Sequence, residues 1–254
     1  MIEIAKEAAL KAGKLLQEYF GKKHSFRKKK TIGDFSTEAD KAAEDLIFKI
    51  IRKSFPNHSI LSEETGKLDS GSDYWWAIDP LDGTIPFTSG LPFFGVSIGL
   101  IKDNEPILGV VNIPKLNLLY WAETEKGAYL NNEKIKVNKT RDLSDSLIGF
   151  EWGYIPDRKE RIENILYPLS GKVRYMPNLA CAVAAMTYVA SGVLEAYVHN
   201  AHPWDFAAGA CILKEAGGKT TDWKGKELNW LEDRLGIVAS NGLIHDEILS
   251  LIKQ

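Results

Sequence analysis

An apolar run that ends in two carboxylates constrains this 254-residue chain more than any other feature. The run is Tyr74-Trp75-Trp76-Ala77-Ile78, and directly after it comes Asp79-Pro80-Leu81-Asp82-Gly83-Thr84. A short apolar run bounded by turn residues predicts a buried strand, and open α/β sheets place their ligands at the carboxyl ends of strands. Clustered carboxylate oxygens suit Mg²⁺ or Ca²⁺. The alternative is a plain turn, because Asp, Pro and Gly are ordinary turn residues.

Further acidic residues stand where other predicted elements begin or end. Glu63 and Glu64 follow the apolar Ile60-Leu61, and Asp34 precedes a predicted helix. Asp205 opens another helix. Surface acids usually alternate with Lys or Arg along amphipathic faces, whereas these lie at junctions, which favours a ligand site assembled from distant segments. A calcium-binding structural protein is a weaker alternative, because the acids do not form one contiguous loop.

Composition and charge exclude several classes of protein. Apolar residues make up 44% of the chain, which indicates a substantial core. The formal net charge of −2 makes nucleic acid an unlikely partner. With neither a secretory signal nor an apolar run of roughly 20 residues, we expect a cytoplasmic protein with no membrane partner. Cys181 and Cys211 lie in apolar helical patterns and are expected to be buried, inert thiols.

Hydrophobic periodicity predicts two helices in the first part of the chain. One apolar helical face runs over Ile2–Phe20. A second helix begins near Thr37, with Asp40 placed for a capping box, and ends before Pro56.

The hydrophobic pattern of the chain changes at two places after the second helix. From Gly95 to Val137 short apolar runs alternate with turn signals, which predicts an antiparallel meander. Beyond Ile148 strands and helices alternate, and this order indicates a layered α/β architecture. The helices expected there cover 158–169, 179–190 and 205–216, and a short one follows Asn241-Gly242.

Four segments together resemble the inositol monophosphatase family of Mg²⁺-dependent, lithium-sensitive sugar phosphatases. Their order and approximate spacing agree with the family over essentially the whole chain. The matches are Asp79-Pro80-Leu81-Asp82-Gly83-Thr84 to D-P-[IL]-D-G-T, Trp204-Asp205-Phe206-Ala207-Ala208-Gly209 to W-D-x-A-A-G, Asp34-Phe35-Ser36-Thr37-Glu38-Ala39-Asp40 to D-x-x-T-x-x-D, and Ser62-Glu63-Glu64 to G-E-E.

The resemblance implies an αβαβα sugar-phosphatase sandwich, an α+β or α/β layered fold with the antiparallel meander in its first half. We expect one compact unit with two halves. Residues 1–147 would carry most of the metal ligands, and residues 148–254 would carry Asp205 and the loops on the substrate side.

The same resemblance implies a site for two to three Mg²⁺ ions. Asp79 would bridge two of them. Glu63 and the backbone carbonyl of Leu81 would complete the first site, and a third, weaker ion would rest partly on Glu63. Asp82 and Asp205 would complete the second site, near the leaving-group oxygen.

Catalytic and supporting roles also follow from the resemblance. Asp34 and Thr84 would orient the attacking water, and Glu63 would act with them. Thr37, Asp40 and Glu64 would support the Asp34 loop from behind. Asp82, Gly83 and Thr84 would contact the phosphate, because Gly83 and Thr84 open a predicted helix whose amino terminus favours an anion. Asp205 stands where a helix N-cap would be.

Departures from the family pattern concern the substrate. Ile85-Pro86-Phe87 replaces a usual Thr-Asn-Phe, and Ala180-Cys181-Ala182 falls where the family commonly has G-[ST]-A-A. His199 stands near the place where inositol-specific members carry Glu. Ala180, Cys181 and His199 are thus the candidate contacts to the substrate hydroxyls, and their identity predicts broad rather than inositol-specific activity.

The resulting hypothesis is a phosphomonoesterase for a small phosphorylated polyol, sugar or amino alcohol, with inositol 1-phosphate as the leading substrate. Fructose 1,6-bisphosphate, histidinol phosphate and 3′-phosphoadenosine 5′-phosphate are the alternatives. The non-enzymatic rival is a regulatory protein that binds the transcription machinery. The family resemblance also implies a homodimer.

Overall fold

The structure is a computed structural model and describes residues 1–28, 35–153 and 158–252 of the chain. Helices and sheets alternate within these ranges. The helices are α1 (Ile2–Tyr19), α2 (Glu38–Ser54), α3 (Thr84–Thr88), α4 (Arg158–Arg161), α5 (Tyr167–Ser170), α6 (Ala182–Ala190), α7 (Pro203–Glu215) and α8 (His245–Leu251), with a π-helical turn over Ile162–Leu166 between α4 and α5.

The strands fall into a β1–β2 hairpin and two larger sheets. Their bounds are β1 (Phe26–Lys28), β2 (Phe35–Thr37), β3 (Ser59–Ser62), β4 (Gly66–Leu68), β5 (Tyr74–Asp82), β6 (Gly95–Lys102), β7 (Glu105–Ile113), β8 (Leu118–Glu123), β9 (Ala128–Leu130), β10 (Glu133–Ile135), β11 (Ile148–Phe150), β12 (Ala196–Ala201), β13 (Lys219–Thr221) and β14 (Leu235–Ser240).

The larger sheet has eight strands in the order β10-β9-β8-β7-β6-β5-β3-β4. The strands from β6 to β10 pair antiparallel in sequence order, which confirms the predicted meander. β5 lies inside the sheet, and its side chains alternate between the two faces. Trp76 and Ile78 pack on the side of α1 and α2, whereas Trp75 and Ala77 pack on the side of α6 and α7.

The α1–α2 layer forms as the apolar periodicity predicts. Helix α1 buries an Ala-rich stripe against the larger sheet, and α2 buries a face with larger side chains such as Ile47, Phe48 and Ile51. Thr37 caps α2, since its hydroxyl accepts a hydrogen bond from Ala39 N at 3.2 Å. Asp40 accepts one from Thr37 N at 2.7 Å, which completes the predicted capping box. Such a cap stabilises a helix by about 1 kcal/mol.

Glycines let α7 approach the larger sheet closely. A Cβ at Gly99 of β6 would lie 2.9 Å from Ala208 N, and one at Gly109 of β7 would overlap the carbonyl of Ala208. From the other side, a Cβ at Gly209 would lie 2.7 Å from the Met186 side chain of α6. Helix α7 therefore packs tightly between the larger sheet and α6, and none of the three glycines leaves room for a larger side chain. This close packing fixes the position of the amino terminus of α7.

The smaller sheet has the order β11-β12-β14-β13. One face packs on α6 and α7, and the other packs on the α4–α5 segment and α8. The layers thus run helix, sheet, helix, sheet, helix, and the predicted αβαβα sandwich is confirmed. The division into halves at residues 147 and 148 stays a prediction.

Two helices of the structure differ from the helices predicted from the sequence. The helix expected over 179–190 begins only at Ala182, because Ala180 has a left-handed backbone with φ of 51° and Cys181 is extended. The helix expected over 158–169 contains the π turn. Both cysteines are buried free thiols, as expected. None of the described helices is long and apolar enough to cross a membrane.

Candidate active site

Three carboxylates from distant segments meet beyond the carboxyl end of β5. Asp79 and Asp82 come from the strand itself, and Asp205 comes from the first turn of α7. An oxygen of each lies within 4.8 Å of the others. Asp79 is buried, and the other two are half-buried. Such a group of hard oxygen donors fits a divalent cation of the Mg²⁺ or Ca²⁺ type better than a thiophilic metal.

The local sequence explains why the two acids of β5 face the same space. The pairing of β5 with β6 shifts register between Asp79 and Asp82, and Pro80 between them has no N–H for the ladder. Leu81 N donates to Asp79 Oδ1 at 3.0 Å, and the Leu81 carbonyl accepts from the Thr84 hydroxyl at 3.3 Å. Leu81 therefore contacts Asp79 through its N–H and Thr84 through the carbonyl that is predicted to be a metal ligand.

The backbone conformation between β5 and α3 requires glycine at position 83. Its φ is 82°, and a Cβ there would lie 2.6 Å from the carbonyl oxygen of Phe93. The turn from β5 into α3 can therefore form closely against the loop before β6 only with glycine.

The N-cap prediction for Asp205 is wrong. His202 is the N-cap of α7, and Pro203 fills the first helical position, where its missing N–H does no harm. Asp205 is the third helical residue, and its Oδ2 accepts a hydrogen bond from His202 N at 2.7 Å. This bond orients the carboxyl group toward Asp79 and Asp82.

Asp82 also joins the larger sheet to α6. Its Oδ2 accepts a hydrogen bond from Val183 N at 2.7 Å, in the first turn of the helix. A carboxylate at a helix amino terminus satisfies a free N–H and interacts favourably with the helix dipole. The position of this predicted ligand is therefore set by residues 101 positions further along the chain.

A second acidic group lies beside the first. Asp40, Glu63 and Glu64 bring carboxylate oxygens within 4.8 Å of one another. Asp40 is fully buried, and its Oδ2 accepts hydrogen bonds from the backbone N and the hydroxyl of Thr37, at 2.7 and 2.6 Å. Its Oδ1 has no hydrogen-bond partner among the described residues. Two of the predicted supporting residues, Asp40 and Glu64, thus lie beside Glu63, and the third, Thr37, contacts Asp40. Asp34 lies outside the described residues.

Burial and mutual repulsion shape the electrostatics of the site. Burial raises the pKa of Asp79 and of Asp205 well above the usual value, and the charges of their acidic neighbours raise it further. Burial also raises the pKa of Asp82 to about 6 and that of Asp40 to about 7. The protein thus holds acids that are costly to ionise without a cation, as expected of a metal site.

The predicted substrate contacts lie on two different elements of the structure. Ala180 and Cys181 lie at the amino end of α6, and the Cys181 thiol is 3.9 Å from the carbonyl oxygen of Asp82. His199 lies on β12, where its Nδ1 is 2.9 Å from Arg161 Nη1 and its ring packs edge-on against Phe206. Burial lowers the pKa of His199 well below the usual value. Its role as a substrate contact stays a prediction.

Glu151 is a residue near the site that the sequence reasoning missed. It follows β11 by one residue, and its Oε1 accepts a hydrogen bond from Cys181 N at 3.1 Å. Burial raises the pKa of Glu151 to about 8, and the charge of Asp82 adds to this shift. The signal that could have found it is an acid directly after an apolar run, the same signal that pointed to Asp79.

Comparison with known proteins agrees with this geometry. Residues 1–254, the whole chain, match the sequence model of the inositol monophosphatase family. The chain belongs to that family. Inositol monophosphatases are metal-dependent phosphatases, so the chain is a hydrolase of this class.

Three inositol monophosphatase relatives illustrate the range of the family. A protein of Aquifex aeolicus named fructose-1,6-bisphosphatase/inositol-1-monophosphatase is 39% identical over 100% of this chain and 95% of its own length. The Nus factor SuhB of Pasteurella multocida is 34% identical over 100% of this chain and 96% of its own. The solved IMPase of Thermotoga maritima is 36% identical, with a TM-score of 0.88 over 98% of this chain and 95% of its own.

Proposed function

We propose that this protein is a Mg²⁺-dependent phosphomonoesterase that hydrolyses a small phosphorylated polyol or sugar, with inositol 1-phosphate as the leading substrate. The observation that carries the proposal is the meeting of Asp79, Asp82 and Asp205 at one end of the larger sheet, with Glu63 in the adjacent acidic group. The Aquifex aeolicus relative bears the names of two such activities, and fructose 1,6-bisphosphate is therefore the first alternative substrate.

Four carboxylates and one backbone carbonyl would bind the metal ions. Asp79, Asp82, Asp205, Glu63 and the Leu81 carbonyl would hold two to three Mg²⁺ ions. Bound Mg²⁺ supplies charge neutralisation for the phosphate and a water of lowered pKa. The raised pKa values of the acids at this site support a cation there, because ionised carboxylates so close together need a compensating positive charge.

Positioning of the water and the phosphate falls to neighbouring residues. Thr84 and Asp34, with Glu63, would orient the attacking water, and the hydrogen bond from the Thr84 hydroxyl to the Leu81 carbonyl keeps Thr84 beside the ligands. Gly83 and Asp82 would approach the phosphate from the same turn. Glu64, Thr37 and Asp40 would keep the acidic group in place.

A phosphate-release assay tests the proposal. With Mg²⁺, the protein should hydrolyse inositol 1-phosphate, glycerol 2-phosphate and fructose 1,6-bisphosphate with kcat/KM values within about two orders of magnitude of one another. Histidinol phosphate and 3′-phosphoadenosine 5′-phosphate complete the panel. Li⁺ should inhibit, and Ca²⁺ should not replace Mg²⁺, because the larger ion accepts looser geometry. No phosphate release from any of the five compounds would overturn the proposal.

A regulatory function is the second candidate, since the Pasteurella multocida relative is named a Nus factor. A protein that only binds the transcription machinery would release no phosphate in the same assay, so the assay separates the two. We further propose a homodimer and a cytoplasmic location. Light scattering at micromolar concentration tests the dimer, and a monomer mass would contradict it.

A further inference from the structure

A carboxylate from the smaller sheet shares the first turn of α6 with a predicted metal ligand. Glu151 Oε1 accepts the N–H of Cys181 at 3.1 Å, and Asp82 Oδ2 accepts the N–H of Val183 at 2.7 Å. The first turn of α6 thus holds Glu151 close to Asp82. In the proposed function, Asp82 belongs to the metal site near the leaving-group oxygen. Glu151 itself matches none of the family signatures.

One polar group near Glu151 lacks a partner in the described part of the chain. The buried hydroxyl of Tyr197 has no hydrogen-bond partner there, and Glu151 uses Oε1 for the N–H of Cys181. Tyr197 pairs with Gly149 in the β11–β12 ladder, and side chains two residues apart share a face, so Glu151 and Tyr197 lie on the same side of the sheet. Buried polar groups are normally satisfied, so the unpaired Tyr197 hydroxyl favours a hydroxyl-bearing ligand beside Glu151.

The surrounding charge restricts what can bind. The charges of Asp82 and Glu151 both raise the pKa of the Tyr197 hydroxyl, after burial, which indicates that all three groups lie close together. An acidic side chain accepts hydrogen bonds from alcohol hydroxyls, whereas a second phosphate on the substrate would meet charge of the same sign. The space therefore suits the neutral half of a phosphate monoester.

We propose that Glu151 is a specificity-determining residue, which accepts a hydrogen bond from a hydroxyl of the substrate's alcohol half. It favours a neutral polyol leaving group over one that carries a second phosphate. The inference rests on the proposed function, because the phosphate held at Asp79, Asp82 and Asp205 decides where the alcohol half lies.

The test is Glu151→Gln, which keeps the side-chain size and an acceptor for Cys181 N but removes the acid. Glu160→Gln is the matched control, since Glu160 is exposed on the nearby α4. At about pH 9, above the raised pKa of Glu151, kcat/KM of Glu151→Gln for inositol 1-phosphate should fall about ten- to hundredfold, mainly through KM, because a hydrogen bond to a charged group is lost. For fructose 1,6-bisphosphate it should stay constant or rise, and the control should change neither value.

An unchanged ratio of the two kcat/KM values would overturn the inference. An equal loss on both substrates would mean a structural role for Glu151, and no change on either would mean that Glu151 does not contact the substrate.

A binding measurement separates this inference from the proposed function. Calorimetric titration with inositol 1-phosphate in Ca²⁺, where we expect no turnover, should show at least about tenfold weaker binding to Glu151→Gln than to the parent. If the parent releases no phosphate from any substrate, the proposed function fails while this comparison still decides the role of Glu151. Equal affinities, or binding by neither protein, would refute that role.

Discussion

At the scale of single residues, the acidic group at the end of β5 combines two opposing demands. The proposed metal site needs Asp79, Asp82 and Asp205 to be ionised together, yet burial and repulsion make that state costly for the folded chain. Replacing one acid should therefore affect activity and metal-free stability in opposite directions.

Asp82→Asn tests this opposition. The amide can still accept the Val183 N–H, but it removes one charge from the proposed second metal site. We expect phosphate release at saturating Mg²⁺ to fall about a thousandfold or more, because a metal ion supplies several kcal/mol of transition-state stabilisation. In EDTA the midpoint of thermal unfolding should be equal or higher. Asp73→Asn, at the exposed start of the same strand, should change neither quantity. Activity within threefold of the parent would contradict the ligand assignment.

Ala180 stores backbone strain next to the same site. Its φ of 51° is a conformation that glycine adopts freely and alanine does not. Ala180→Gly should therefore raise the free energy of unfolding by about 0.5 to 1 kcal/mol. Ala182→Gly, two residues later in the regular helix, should lower it by about the same amount or more. Urea unfolding measures both, and a lower stability for Ala180→Gly would show that the strain is relieved in another way.

At the scale of elements, α7 links the core to the site. The same helix carries Asp205 in its first turn and lies against Gly99 and Gly109 in its middle. A change beneath the helix should therefore reach the site without touching it.

Gly109→Ala makes that change. The added methyl group would overlap the carbonyl of Ala208, so α7 must shift away from the sheet. We expect a loss of about 1 to 3 kcal/mol in stability, as for other overpacked cores, together with weaker activation by Mg²⁺. Gly171→Ala, where the methyl group meets open space, is the control and should leave both unchanged. If Gly109→Ala is destabilised but keeps the Mg²⁺ dependence of the parent, the shift in the middle of α7 does not displace Asp205 at its amino terminus.

The sequence predicts an element correctly where a short local pattern determines its structure. The prediction fails where a contact with a distant part of the chain determines it. The α2 cap and the two acids at the carboxyl end of β5 follow from short sequence patterns, and the family signature adds the roles expected of these acids. The start of α6 was placed too early, because only the contacts of Cys181 and Val183 with Glu151 and Asp82 favour the extended turn before the helix. Glu151 was missed because the strand before it has only three residues, so the signal of an acid after an apolar run is much weaker there than at the nine-residue β5.

At the scale of the whole molecule, buried acids should make stability depend on pH. Glu151 has its pKa raised to about 8 and Asp40 to about 7, whereas in the unfolded chain both would titrate near pH 4. Between pH 7 and 8.5 the folded state therefore releases protons that the unfolded state has already lost. The stability of the metal-free protein must fall across this range.

Glu151 and Asp40 alone should lower the stability by about 1.5 kcal/mol between pH 7 and 8.5, measured by urea unfolding in EDTA, and Asp79 and Asp205 should add to the fall. His199 and His245 have lowered pKa values and are neutral throughout this range, so they do not oppose the trend. Glu151→Gln should reduce the slope. Stability that stays level or increases toward pH 8.5 in the parent would mean that these acids are already ionised at neutral pH.

The hydrogen bond from Val183 to Asp82 has a consequence for the order of events in folding. Its partners are 101 residues apart, and Asp205 lies still further along the chain. Contacts of such long sequence separation form late, after much of the loop-closure entropy has been lost. A Mg²⁺ ion held by Asp79, Asp82 and Asp205 would thus find no complete site in the transition state. It should slow unfolding and leave the refolding rate almost unchanged, so that the bound ion acts on the lifetime of the native state.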